Sequence, residues 1–132
     1  QGVFHPAYRS LQAQAAALLG QNDLSIIKGG GGEFERHPSK DAIVFGLRDG
    51  AHIQEPSAHI LQDTRRLHED GHAIDLSDLW HGRAKDTFAI ATITGTAALA
   101  LWTLKAAPTP EHAHQMALSL WDRRHHTESL SA

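Results

Sequence analysis

The chain has 132 residues, enough for one domain with one core, and its 41% hydrophobic and 20% charged residues are ordinary globular usage. A formal net charge of −3 gives no global attraction to nucleic acid or an anionic membrane, so either partner would need a local basic patch. The absence of cysteine excludes disulfides, thiolate metal sites and cysteine nucleophiles.

The N-terminal residues Gln1 to His5 carry no basic segment followed by a long apolar one, so no secretory signal is visible, and the only methionine is Met116. The expectation is one α/β domain over residues 1–132, the C-terminal part of a larger cytoplasmic protein.

Pro6 to Leu19 reads as a helix, with Tyr8, Leu11, Ala15, Leu18 and Leu19 at helical spacing and Gly20 as its stop. Asp23 to Lys28 reads as a short strand and runs into four glycines, Gly29 to Gly32. Ala42 to Leu47 reads as a second strand, Arg48-Asp49-Gly50 as a turn, and Ala51 to Ile60 as a returning strand interrupted by Pro56. Leu61 to Asp75 is polar and reads as irregular; Asp75 to Trp80 reads as a short helix capped by Asp75 or Ser77 and stopped by Gly82.

Asp86 to Ala107 is the most apolar stretch. It approaches membrane-span length, but its threonines and Gly95 dilute it, and a helix apolar nearly all round is also what a buried core helix looks like. The core reading is the one expected, with no membrane partner. Thr109-Pro110-Glu111 then starts a last helix with a cap, a first-turn proline and an acid at the positive end. Its stripe is Ala113, Met116, Ala117, Leu120 and Trp121. Together these segments predict an α/β fold with a small, at least partly parallel sheet flanked by helices.

One segment could carry chemistry, Ile26 to Arg36. Glycines let a backbone approach a ligand closely, their N–H groups can cradle phosphate oxygens, and nearby carboxylates can hold Mg²⁺. Glu33 and Glu35 are two apart, which places both on one face of an extended chain. The spacing matches neither a dinucleotide fingerprint nor a P-loop, and a four-glycine run is also what a plain turn looks like. The eleven histidines do not form a zinc spacing: His112 and His114 are two apart on a helix and face apart, and no HExxH occurs. No Gly-x-Ser-x-Gly elbow is present either.

His5-Pro6-x-Tyr8, Leu18-Leu19-Gly20, Ile26-Ile27, Lys28-Gly29-x-x-Gly32 and Arg48-Asp49-Gly50 resemble the C-terminal domain of anthranilate phosphoribosyltransferase-like proteins, glycosyltransferase family 3. The likeness continues less distinctly from Trp80-His81-Gly82 onward. It implies the C-terminal portion of a nucleoside phosphorylase/phosphoribosyltransferase catalytic domain. It also implies a phosphorylated ribose substrate at Lys28, Gly29, Gly30, Gly31 and Gly32, a Mg²⁺ cofactor, and a homodimer for the full-length protein. The family's enzymes follow the glycine loop with leucine and an adjacent aspartate–glutamate pair that binds the metal. Glu33 stands at the leucine, Phe34 at the aspartate and Glu35 at the glutamate, so one acid carries over, Glu35, with Glu33 as a possible replacement partner. Some relatives bind nucleic acid instead, which would assign Lys28, Arg36 and Lys40 to phosphate contacts, although the segment 28–40 has a net charge of only +1. The family's N-terminal helical domain and early glycine loop are not in this sequence, so the chain by itself is expected to be inactive. A plain scaffold or dimerisation domain is the third reading.

Overall fold

The computed structural model describes residues 1–29, 34–63, 65 and 74–126. Four strands form one sheet in the order β1-β2-β3-β4: β1 (Gly2–Val3), β2 (Leu24–Lys28), β3 (Ala42–Arg48) and β4 (Ala51–Ser57). Only β1 and β2 run parallel; β2, β3 and β4 form an antiparallel meander. The sheet is therefore mixed, with its parallel character confined to a two-residue strand whose pattern is too short to read in a sequence. The helices are α1 (Tyr8–Leu18), α2 (Leu76–Trp80), α3 (Thr87–Thr103) and α4 (Pro110–Asp122).

Side chains alternate across β2, and both faces are covered. Ile26 meets Val3 and Ala13 of the α1 layer, while Ile27 joins Val44, Ala98, Trp102 and Ala113 in the α3–α4 layer. Ser25 lies on the same side as Ile27 and shares a 2.6 Å hydrogen bond with Thr103. Gly46 sits where β3 crosses β2, and a Cβ there would fall 1.7 Å from the Leu24 carbonyl oxygen. No side chain larger than hydrogen fits that crossing.

The helix ends follow their local chemistry. Gly20, at φ +77°, closes α1: the Gln21 N–H donates to the Ala16 carbonyl and the Gly20 N–H to that of Ala17. Asp75, Asp86 and Thr109 cap α2, α3 and α4 by accepting backbone N–H groups. Pro56 is tolerated because β4 is an edge strand, and the strand ends at Ser57 instead of running on to Ile60.

The expected stripe of α1 faces outward. Tyr8, Leu11, Leu18 and Leu19 are exposed, and the helix rests on the sheet through Ala13 and Ala16. Small residues allow a close approach to the sheet, and here that outweighs the longer apolar side. On α4 the stripe is split: Ala113 and Ala117 are buried, Met116 and Leu120 exposed.

The apolar helix α3 is the core helix. Phe88, Ala91, Thr94, Gly95, Ala98 and Trp102 are buried, and the hydroxyls of Thr92, Thr94, Thr96 and Thr103 each donate to the carbonyl four residues back. Those bonds let the threonines sit at low polar cost. Among the described residues, no helix is long and apolar enough to cross a membrane.

Candidate functional site

The segment leaving the glycine run is anchored by a buried arginine. Arg36 is 4% exposed, and its backbone N–H donates to the Thr96 hydroxyl at 2.9 Å. Its guanidinium reaches five acceptors: Nε donates to Ser57 Oγ, Nη1 to the His37 and Lys40 carbonyls, and Nη2 to the Ser57 and Ala58 carbonyls. That engages every nitrogen of the fork. Burial pulls its pKa below the ordinary value, and the nearby Asp41 carboxylate works the other way. Gly95 makes room: a Cβ there would lie 3.7 Å from Arg36 Cδ and 2.7 Å from Ile60 Cδ1. The Ile60 and Leu61 N–H groups donate to the Pro38 carbonyl, which folds the chain after β4 back over this segment.

Beside this anchor, where β2 ends and β3 begins, lies a cleft of about 290 Å³. Lys28, Gly29, Arg36 and Lys40 all line it, so four residues singled out from the sequence meet in one place. Arg9, on α1, completes its basic wall. Arg9 is held by hydrogen bonds to the Pro6 and Ile43 carbonyls, and its guanidinium lies 4.4 Å above the Phe45 ring. Sequence reasoning missed it because it is distant in the chain, and only the packing of α1 on β3 brings it here. Lys28 rests its ammonium on the Gly29 carbonyl at 3.1 Å, and Lys40 is exposed.

Among the described residues the one acid lining the cleft, Asp41, is already engaged. A side-chain hydrogen bond with His59 at 2.7 Å, together with a second from the His59 N–H, holds its carboxyl below the usual range. Among the described residues, Arg9, Lys28 and Lys40 thus line the cleft with little opposing charge, which suits an oxyanion.

The other candidates fall differently. Of the three basic residues expected to meet nucleic acid, Arg36 alone has its guanidinium committed inside the protein. The Gly29 N–H is likewise taken, donating to the Val3 carbonyl at 3.0 Å. Gly30, Gly31, Gly32 and Glu33 lie outside the described residues. Glu35 does not line the cleft, but its Oε2 is buried and has no hydrogen-bond partner among the described residues. A buried carboxylate oxygen without a donor is suited to a cation, and Mg²⁺ needs only one or two protein acids when phosphate oxygens and water complete its shell. Among the described residues no three His, Asp or Glu side chains gather into a metal site by themselves.

No known family model matches the chain, and no curated protein is similar to it.

Proposed function

We propose that this chain is a glycosyl/phosphoribosyl transferase-family domain that supplies the phosphate-holding part of a phosphorylated-ribose site in a larger, homodimeric cytoplasmic protein. The observation that carries this reading is the set of three cations, Arg9, Lys28 and Lys40, around one small cleft where β2 runs into the glycine loop. A cleft of about 290 Å³ has room for a phosphate group and part of a small molecule carrying it. In this reading Lys28 and the glycine run beyond Gly29, whose own N–H is spent on Val3, hold its phosphates, and Glu35, outside the cleft lining, would with Glu33 meet a Mg²⁺ at the edge of that site. The metal would neutralise phosphate charge; the chain's own part is to bind and orient. Catalysis in this reading belongs to the intact protein and is not expected of the chain alone, since a transfer reaction needs both substrates positioned together.

Calorimetric titration with pyrophosphate and with phosphoribosyl diphosphate, with and without Mg²⁺, tests the proposal. Binding should weaken in Lys28→Ala, and Glu35→Gln should remove the Mg²⁺-dependent part alone. Absence of binding, or binding indifferent to Lys28, sinks it.

The second reading, a non-catalytic nucleic-acid binder, draws on the exposure of Lys28 and Lys40 at the mouth of the same cleft. Two or three phosphate contacts to a single strand would give a log–log salt slope of roughly −1.4 to −2. A flat salt response, or no retention of oligothymidylate, removes that reading.

A further inference from the structure

A second and larger cleft, about 420 Å³, opens between β4 and the α3–α4 pair, on the face of the sheet opposite α1. It falls within the size range of small-molecule sites. Its floor is apolar: Val44 from β3 with Ala98, Leu99 and Trp102 from α3. The α4 side of its mouth is lined by Pro110, Glu111, His114 and Gln115.

The charges around this cleft are unequal in availability. Arg36 lines it, but its guanidinium is spent on Ser57, Ala58, His37 and Lys40, so its charge is surrounded by oxygens. His59 is occupied by Asp41 and by Gln62 at 3.0 Å. Among the described lining residues, Glu55 and Glu111 remain as carboxylates, both exposed and neither in an ion pair, beside the half-buried imidazole of His114. Glu55 pairs with Val44 across the β3–β4 ladder, which puts it on the sheet face that α3 covers. Glu111 comes from the first turn of α4, on the opposite wall, and its carboxyl is held in the charged form by local hydrogen bonds. An apolar floor between two carboxylates, with the one guanidinium among the described lining residues saturated, is complementary to an apolar body carrying one positive charge.

We infer that the cleft between β4 and the α3–α4 pair binds a small organic ammonium compound, its apolar body on Val44, Leu99 and Trp102 and its ammonium toward Glu55 and Glu111. The site is separate from the basic cleft at Lys28 and stands whether or not that cleft holds phosphate.

The test uses this chain and three probes of nearly equal size: phenethylammonium, 2-phenylethanol and phenylacetate, followed by amide chemical-shift titration. Phenethylammonium should perturb Glu55, Ser57, Leu99 and Glu111 and bind most tightly, and phenylacetate least. Glu55→Gln and Glu111→Gln, both exposed and harmless to folding, should each weaken the ammonium roughly two- to fivefold, the range for exposed charge pairs. Neither should change binding of the alcohol. Gln115→Trp, which fills the mouth from an exposed helix position, should weaken the ammonium and the alcohol together. Equal affinity for ammonium and alcohol, or an ammonium affinity indifferent to both glutamates, overturns the charge assignment. Shifts confined to other surfaces, or none at all, overturn the site.

Discussion

Arg36 and Ser57 stand 21 residues apart, yet the Arg36 guanidinium donates to the Ser57 hydroxyl at 3.1 Å and to its carbonyl at 3.0 Å. Through this pair the chain leaving the glycine loop is fastened to the end of the edge strand β4. The same side chain lines both clefts.

Arg36→Ala should therefore destabilise the protein by roughly 3–4 kcal/mol, since several charge-assisted hydrogen bonds in a buried network are lost together. Arg36→Lys should recover little, because one ammonium cannot span acceptors set for a planar fork. Urea unfolding measures both. A loss below about 1 kcal/mol for Arg36→Ala would show that the network is not formed in solution.

Gly46 and Gly95, both buried, should respond very differently to the same methyl group. Gly46→Ala drives Cβ into the Leu24 backbone, 1.7 Å from its oxygen, and should cost on the order of 3 kcal/mol. At Gly95 the nearest atom is the flexible tip of Ile60, at 2.7 Å, and the helix gains up to about 1 kcal/mol of propensity. Gly95→Ala should fall within about 1 kcal/mol of the parent in either direction. Thermal melting of the two variants side by side settles the contrast.

Asp86 has two tasks. It caps α3 by accepting the Ala89 N–H at 3.0 Å, and it pairs with Arg65 at 2.6 Å. Asp86→Asn keeps an N-cap and loses only the charge; Asp86→Ala loses both and should cost about 1 kcal/mol more. Equal denaturation midpoints for the two variants would show that the cap contributes nothing.

Acid should weaken the fold from about pH 4 downward. Asp23 titrates below its ordinary value of 3.8, chiefly through its hydrogen bond with Lys105, and Asp41 does so through His59. At Asp86, burial pushes the carboxyl up, but the bonds from Arg65 and the Ala89 N–H outweigh it and the net shift is downward. A carboxyl depressed in the fold stabilises above its unfolded pKa and loses that contribution as pH falls through the folded value. Lys105, raised by Asp23 and Asp49, works at the other end: its contribution is present below its ordinary value of 10.5 and is lost as pH rises through the folded value. Urea midpoints between pH 7 and pH 2 should drop on the acid side, and added salt should shrink the parts due to exposed Asp23 and Asp41. A flat acid limb contradicts these pairings.

Arg9→Ala separates binding from folding. Arg9 is held by carbonyl oxygens and an aromatic face, without a carboxylate partner among the described residues, so its loss should cost about 1 kcal/mol or less of stability. Pyrophosphate affinity, under the reading of the basic cleft as a phosphate site, should fall severalfold. Unchanged affinity removes Arg9 from the site.

Much of the fold is legible in the chain because its signals are local. Asp75 with Gly82, and Thr109-Pro110-Glu111, each mark a helix end through bonds made within a few residues, and the structure places α2 and α4 there, while Asp86 proves to cap α3. Asp49-Gly50 turns β3 into β4 for the same reason. The long apolar stretch announces a buried helix, and α3 is one. Lys28, Gly29, Arg36 and Lys40 are close in sequence, so their meeting around one cleft was also within reach of reading.

What only the tertiary structure decided depends on which surfaces meet. Periodicity marks the apolar side of α1 but cannot say that the helix docks on Ala13 and Ala16 and leaves Leu11 and Leu18 in solvent. Nor can it pair the two residues of β1 with β2, bring Arg9 to Lys40, or turn Arg36 inward onto Ser57. Caps, turns and helix limits are fixed by neighbours along the chain. Strand order, helix face and the fate of a cation are fixed by neighbours in space, and this chain's one-dimensional pattern does not carry those distances.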